Sequence, residues 1–306
     1  TDSNGCIITE DYVVTEPGLF TILEVESSHV DVLCYGDSTG ELEVVLTGGA
    51  TPYTYALTGP VTETQGPTPN MTYIKTGLPT GDYTVTATDA NGTIVDVEIT
   101  ILQPDATIDI TETISNFNGF NISCFGASDG TIDIVTTGGG GPSNSDQYTY
   151  EWTLGVNSFT VSSPSTNTNL QDLGPGVYKV TVTDNVGCTY TETYEITEPT
   201  GLTLSGVVSN SNQYNGFGAS ASGANDGFID ITVGGGTSSY TYAWSTSNGV
   251  VPSGQETNQN LTGLVAGTYT VEITDSNGCI ITEDYVVTEP ELFTIEEILD
   301  SHVDVL

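Results

Sequence analysis

The chain repeats itself at long range, and that property confines it to tandem architectures more tightly than any local pattern does. Residues 1–33 return at 274–306 with 28 of 33 positions identical, an offset of 273. Weaker copies lie inside that offset. A marker, Cys-Tyr-Gly-Asp-Ser-Thr-Gly from Cys34, recurs as Cys-Phe-Gly-Ala-Ser-Asp-Gly from Cys124, and a third version is read from Gly216, giving steps of 90 and 92 residues. The unit of 273 residues therefore holds three modules.

Each module runs through the same signals. After the marker come an alternating strand, a glycine-rich turn (Gly48 and Gly49, Gly138 to Gly141, Gly234 to Gly236) and an aromatic strand. Tyr148, Tyr150 and Trp152 share one face by period two, as do Tyr240, Tyr242 and Trp244, which suits a core between two sheets. Next comes Leu-x-x-Gly-x-Tyr, ending at Tyr83, Tyr178 and Tyr269. This looks like the tyrosine corner of immunoglobulin-like sandwiches. A short hairpin opened by Asp89, Asp184 or Asp275 leads to a last strand that ends at Pro104, Pro199 or Pro290.

Boundaries at those prolines give modules at 18–104, 105–199 and 200–290. Residues 1–17 are then the last strand of a preceding module, and 291–306 the first strand of a following one. The fold class expected is all-β: a tandem array of immunoglobulin-like or fibronectin-like β-sandwich modules of about 91 residues. Almost no linker separates them, so they should stand end to end as a stiff rod. A content of 51 threonines and 16 tyrosines favours strands over helices.

Charge narrows the partners. Against 40 acidic residues stand 2 lysines and no arginine, a net charge of −38, which argues against nucleic acid. No stretch is apolar enough to insert into a membrane. No Ser/His/Asp set, paired-carboxylate cleft or metal-ligand spacing stands out, so the reading is not an enzyme. His29 and His302 hold one repeat position and read as exposed strand residues, and Lys75 and Lys179 as incidental surface residues.

The module pattern, from the marker through Tyr-Thr-Tyr-x-Trp to Asn-Gly-Cys and Thr-Glu-Pro, resembles the SprB repeat of Bacteroidota gliding-motility adhesins over essentially the whole chain. Thr93 and Gly216 depart from it where the family has Cys, and Leu57 where it has Trp. The resemblance implies an extracellular cell-surface filament exported by type IX secretion and moved by the gliding machinery. Its partners would be neighbouring modules, the gliding and secretion machinery, and an external surface or polysaccharide met through other parts of the protein. Two roles fit: a stalk that extends an adhesive tip and transmits force, or repeats that themselves bind glycan or other surfaces.

Two sets of residues are candidate sites. Acids at turns, namely Asp129 with Asp133, Asp226 with Asp230, and Asp184 and Asp275, are the groups that would hold structural calcium, joined by Asp37, Glu41 and Glu43 in the first module, by Asp89, and by Glu16, Glu198 and Glu289 before the boundary prolines. The same acids also serve to keep strand edges apart. The cysteines sit at the marker (Cys34, Cys124, with Gly216 third) and at the last hairpin (Cys6, Thr93, Cys188, Cys279). Pairing within modules leaves Cys34 and Cys279 unmatched, and pairing Cys6 with Cys34 and Cys124 with Cys188 mixes two geometries. Pairing each marker with the next module's hairpin gives Cys34–Cys188 and Cys124–Cys279, with Cys6 bonded outside this stretch, and is the expected scheme.

Overall fold

The computed structural model describes residues 1–13, 18–140, 148–155, 168–209 and 214–296. The first module contains β1 (Thr21–Glu24), β2 (Gly40–Thr47), β3 (Tyr53–Thr58), β4 (Glu63–Thr68), β5 (Thr72–Leu78), β6 (Gly81–Thr88) and β7 (Ile94–Ile101). The second contains β8 (Asp109–Ile114), β9 (Gly130–Thr137), β10 (Thr149–Leu154), β11 (Asn169–Leu173), β12 (Gly176–Thr183) and β13 (Thr189–Ile196). The third contains β14 (Thr203–Val208), β15 (Gly227–Gly234), β16 (Thr241–Thr246), β17 (Leu261–Leu264), β18 (Gly267–Thr274) and β19 (Ile280–Val287). One 3-10 turn, Glu26–Ser28, is the only helical element among the described residues.

Each module is two antiparallel sheets face to face. The orders are β1-β2-β5 with β4-β3-β6-β7, then β8-β9-β11 with β10-β12-β13, then β14-β15-β17 with β16-β18-β19. The alternation of the sequence explains the packing. Along Gly40–Thr47 every second residue is buried, and Leu42, Val44 and Leu46 face Tyr53, Tyr55, Leu57, Val85 and Ile101 from the opposite sheet. Three separate clusters of buried side chains result, spanning Phe20 to Ile101, Ile108 to Ile196, and Ile229 to Val287.

The aromatic residues occupy the centre. Trp152 and Trp244 are buried, each tilted against a tyrosine of the last strand, Tyr194 or Tyr285, with centroids 6.1 Å apart. In the first module both partners change together. Leu57 and Ile99 replace the tryptophan and tyrosine, while Tyr55 stacks on Tyr73 at 5.2 Å and supplies ring surface from elsewhere. The three corner tyrosines each donate to the carbonyl four residues earlier: Tyr83 to Pro79 at 2.9 Å, Tyr178 to Gly174 at 3.0 Å and Tyr269 to Val265 at 2.9 Å.

Residues 1–13 form no strand and are exposed, whereas their counterpart in the third module, β19, is paired along its length with β18. Residues 291–296 likewise form no strand, and Glu16, His302 and the rest of the tail lie outside the described residues.

Candidate functional site: the joins between modules

Chemistry in this molecule concentrates where one module meets the next, and the turns that build these joins are set by glycine. Gly48 and Gly49, Gly138 and Gly139, and Gly235 and Gly236 all have φ between 60° and 74°. A Cβ on Gly48, Gly138 or Gly235 would lie 2.3, 1.9 or 2.0 Å from the carbonyl oxygen of Leu19, Thr107 or Gly201, just before the module's first strand, so no other residue fits. The first tyrosine of each aromatic strand closes the same turn, Tyr53 donating to Gly48, Tyr148 to Gly138 and Tyr240 to Gly235.

A buried carboxylate fastens this turn to the last hairpin. Asp275 accepts N–H groups from Thr237 at 2.8 Å, Asn277 at 2.9 Å and Cys279 at 2.9 Å. Asp184 does the same for Gly140, Val186 and Cys188, and Asp89 for Ala50, Asn91 and Thr93. Burial opposes ionisation of Asp89, but the backbone donors outweigh it and hold its carboxyl below the ordinary carboxylate range. The opposite end of each module is held by a second acid or amide. Gly36 donates to Gln103, Gly126 to Glu198 and Gly223 to Glu289, tying the marker loop to the residues before the boundary proline.

Several of the acids expected to gather calcium already accept backbone N–H groups. Asp129 and Asp226 accept the N–H of Ser123 and Ser220 inside the marker turn, and Ser220 holds the Asp226 carboxyl low. Asp133 and Asp230 stand on the outer faces of β9 and β15. Among the described residues no three His, Cys, Asp or Glu side chains are grouped to share a metal. Asp184 and Asp275 point both oxygens at N–H donors, which a cation would have to displace.

Two cross-module disulfides complete the joins. Cys34 is bonded to Cys188 and Cys124 to Cys279, with Cα atoms 5.6 and 5.7 Å apart. Cys6 is exposed and unbonded, although Asp2 accepts the N–H groups of Asn4 and Cys6 just as Asp275 does in the matching hairpin. The second join carries more than its disulfide. Asn277 donates through Nδ2 to the Phe117 and Ser123 carbonyls and to Thr237, and accepts from Asn118 at 2.7 Å. The first join has Val186 at that position.

The third marker needs a correction. Ser123 and Ser220, Gly126 and Gly223, and Asp129 and Asp226 make the same hydrogen bonds, which puts Ala221, not Gly216, opposite Cys124. Gly216 matches Gly119, each following a positive-φ asparagine in a small loop closed by a bridge, Phe117 to Phe120 or Tyr214 to Phe217. Phe-Asn-Gly-Phe and Tyr-Asn-Gly-Phe carried that signal in the sequence. His29 also differs from its expected exposed strand setting. It is half-buried beyond the 3-10 turn, between Glu24 at 2.7 Å and Asp31 at 3.2 Å, and although burial disfavours its charge these carboxylates raise its pKa. Lys75 pairs with Glu63.

Three stretches of the chain, residues 27–62, 120–157 and 222–249, match the SprB repeat. None of the curated proteins compared with the chain matches it. Among solved structures, three N-terminal domains of the bacteriophage RB49 outer capsid protein Hoc share 14% identity, covering 90% of this chain and 99% of that one, at a TM-score of 0.36. The N-terminal eight Ig domains of Down Syndrome Cell Adhesion Molecule share 12%, covering 90% and 37%, at 0.42. A 1.5-MDa bacterial ice-binding adhesin, described for host cell surface retention, shares 16%, covering 89% and 96%, at 0.39. No helix among the described residues is long and apolar enough to cross a membrane.

Proposed function

We propose that this chain, which carries the SprB repeat three times, is a segment of a cell-surface adhesin whose modules form a non-enzymatic, load-bearing stalk. The observation that supports this is the placement of the disulfides. Both lie between modules rather than inside them, where they add nothing to a single core but oppose separation and twisting of neighbours under tension. Extracellular oxidation and transport to the outer surface go with such bonds. The stalk extends an adhesive region held elsewhere in the protein, and gliding and secretion machinery are its cellular partners.

A glycan-array and surface-adsorption screen tests the reading on this fragment. A stalk segment gives no saturable binding to glycan, mineral or ice. Saturable, competable binding by the fragment would make the repeats themselves the adhesive element and overturn the assignment.

A further inference from the structure

A unit of three modules has three kinds of join. Two are described above, and the third forms where a copy of the third module meets a copy of the first, because residues 274–306 repeat 1–33. Both thiols are missing there: Ala221 stands at the marker and Thr93 at the hairpin, and both are exposed. The same two surfaces show compensating features.

One is a change of size across a single contact. Tyr35 and Thr107 line a cavity at the first join, and Phe125 and Gly201 at the second, each pairing an aromatic residue on one side with a small one on the other. The Phe125 ring lies 3.3 Å from where a Gly201 Cβ would be. The residue equivalent to Tyr35 and Phe125 is Ser222, which precedes the glycine bonded to Glu289. The residue equivalent to Thr107 and Gly201 is Leu19, one before the Phe20 that packs on Gly49. The third join thus opposes a small marker residue to a large apolar one. Leu19 is 84% exposed, and Leu292, its copy in the following repeat, is 72% exposed.

The other feature is the asparagine contact. Asn91 is held in the same turn as Asn277, with its N–H on Asp89 at 2.9 Å, but is exposed. The loop that receives Asn277 recurs as Tyr214 to Phe217, with Asn215 at φ 54° against 53° for Asn118.

We propose that the face carrying Leu19, Asn91 and Thr93 docks on the face of a third-module repeat carrying Ser222, Ala221 and the Tyr214–Phe217 loop, as a non-covalent joint. The partner is another copy of this unit, and the proposal rests on reading the chain as one unit of a longer array. Leu19 covers Ser222, and Asn91 donates to the Tyr214 and Ser220 carbonyls. Every third join is then the one that opens and recloses under load while the other two stay clamped.

The test is a chain in which Leu306 is followed directly by a second copy of residues 34–306. Ala221→Cys in the first copy and Thr93→Cys in the second put one thiol on each side of the joint. Non-reducing peptide maps should show these two cysteines bonded to each other, with no such bond in either single variant and loss of it when Leu292→Asp is added. A folded tandem chain in which both thiols are alkylated, or in which Leu292→Asp changes nothing, refutes the joint and leaves the array reading standing. Failure of the second copy to fold refutes both.

Discussion

One carboxylate in each last hairpin accounts for much of the local order, since it gathers three backbone N–H groups from two turns. Asp275→Ala strands those donors in a buried site and should cost about 3 kcal/mol, read as a lower melting temperature. Asp89 adds a pH dependence of known sign. Its folded carboxyl titrates below its unfolded value, so its stabilisation is complete above the ordinary carboxylate pKa near 4 and is lost as pH falls through the lower folded value. Asp89→Asn should therefore flatten the acid limb of the first module's melting curve, and an unchanged acid limb would contradict this. That Asp89, Asp184 and Asp275 open hairpins was readable from the sequence. Their burial was not, because one donor to each, such as Ala50 to Asp89, comes from a turn dozens of residues away.

Strand patterns were the most legible elements, and the marker was the least. Alternation put Trp152 and Trp244 on an inner face, since a residue two positions along a strand must return to the same face, and both are buried, as are the three tyrosines marked by Leu-x-x-Gly-x-Tyr. Gly216 was misaligned because Gly-Phe-Gly-Ala-Ser imitates Cys-Phe-Gly-Ala-Ser, whereas the turn hydrogen bonds of Ser220 and Gly223 depend on backbone shape. A bulge within β11, between Leu170 and Leu173, offers a direct check on local conformation. Asp172 has φ 55° where the other modules have Gly77 and Gly263, each with φ 72°. Asp172→Gly relieves the left-handed strain and should raise stability by about 0.5 kcal/mol, measured by denaturant unfolding, the gain limited by glycine's looser unfolded chain.

For the whole molecule, the two disulfides overlap in sequence and shorten the path along which force can travel. Between Cys34 and Cys279 the shortest covalent route crosses only the 64 residues from Cys124 to Cys188, against 245 along the chain. Fully unfolded by pulling, that span should extend to about 220 Å when oxidised and roughly four times as far with reductant, at ~3.5 Å per residue. Equal contour lengths in single-molecule force traces would refute the cross-module arrangement. Because Asp184 and Asp275 already spend both carboxylate oxygens on backbone N–H groups, melting curves in millimolar calcium and in chelator should coincide, and a higher melting temperature with calcium would show a cation displacing those donors. The sequence by itself determined the three-module period, the sandwich class, the aromatic core and the order in which thiols alternate with gaps, since periodicity and residue type act locally and repeat. Only the tertiary structure decided which atoms each acid touches, that Ala221 is the counterpart of Cys124, and that Leu19 and Ser222 are the counterparts of Gly201 and Phe125, because these depend on segments brought together by folding from far apart in the chain.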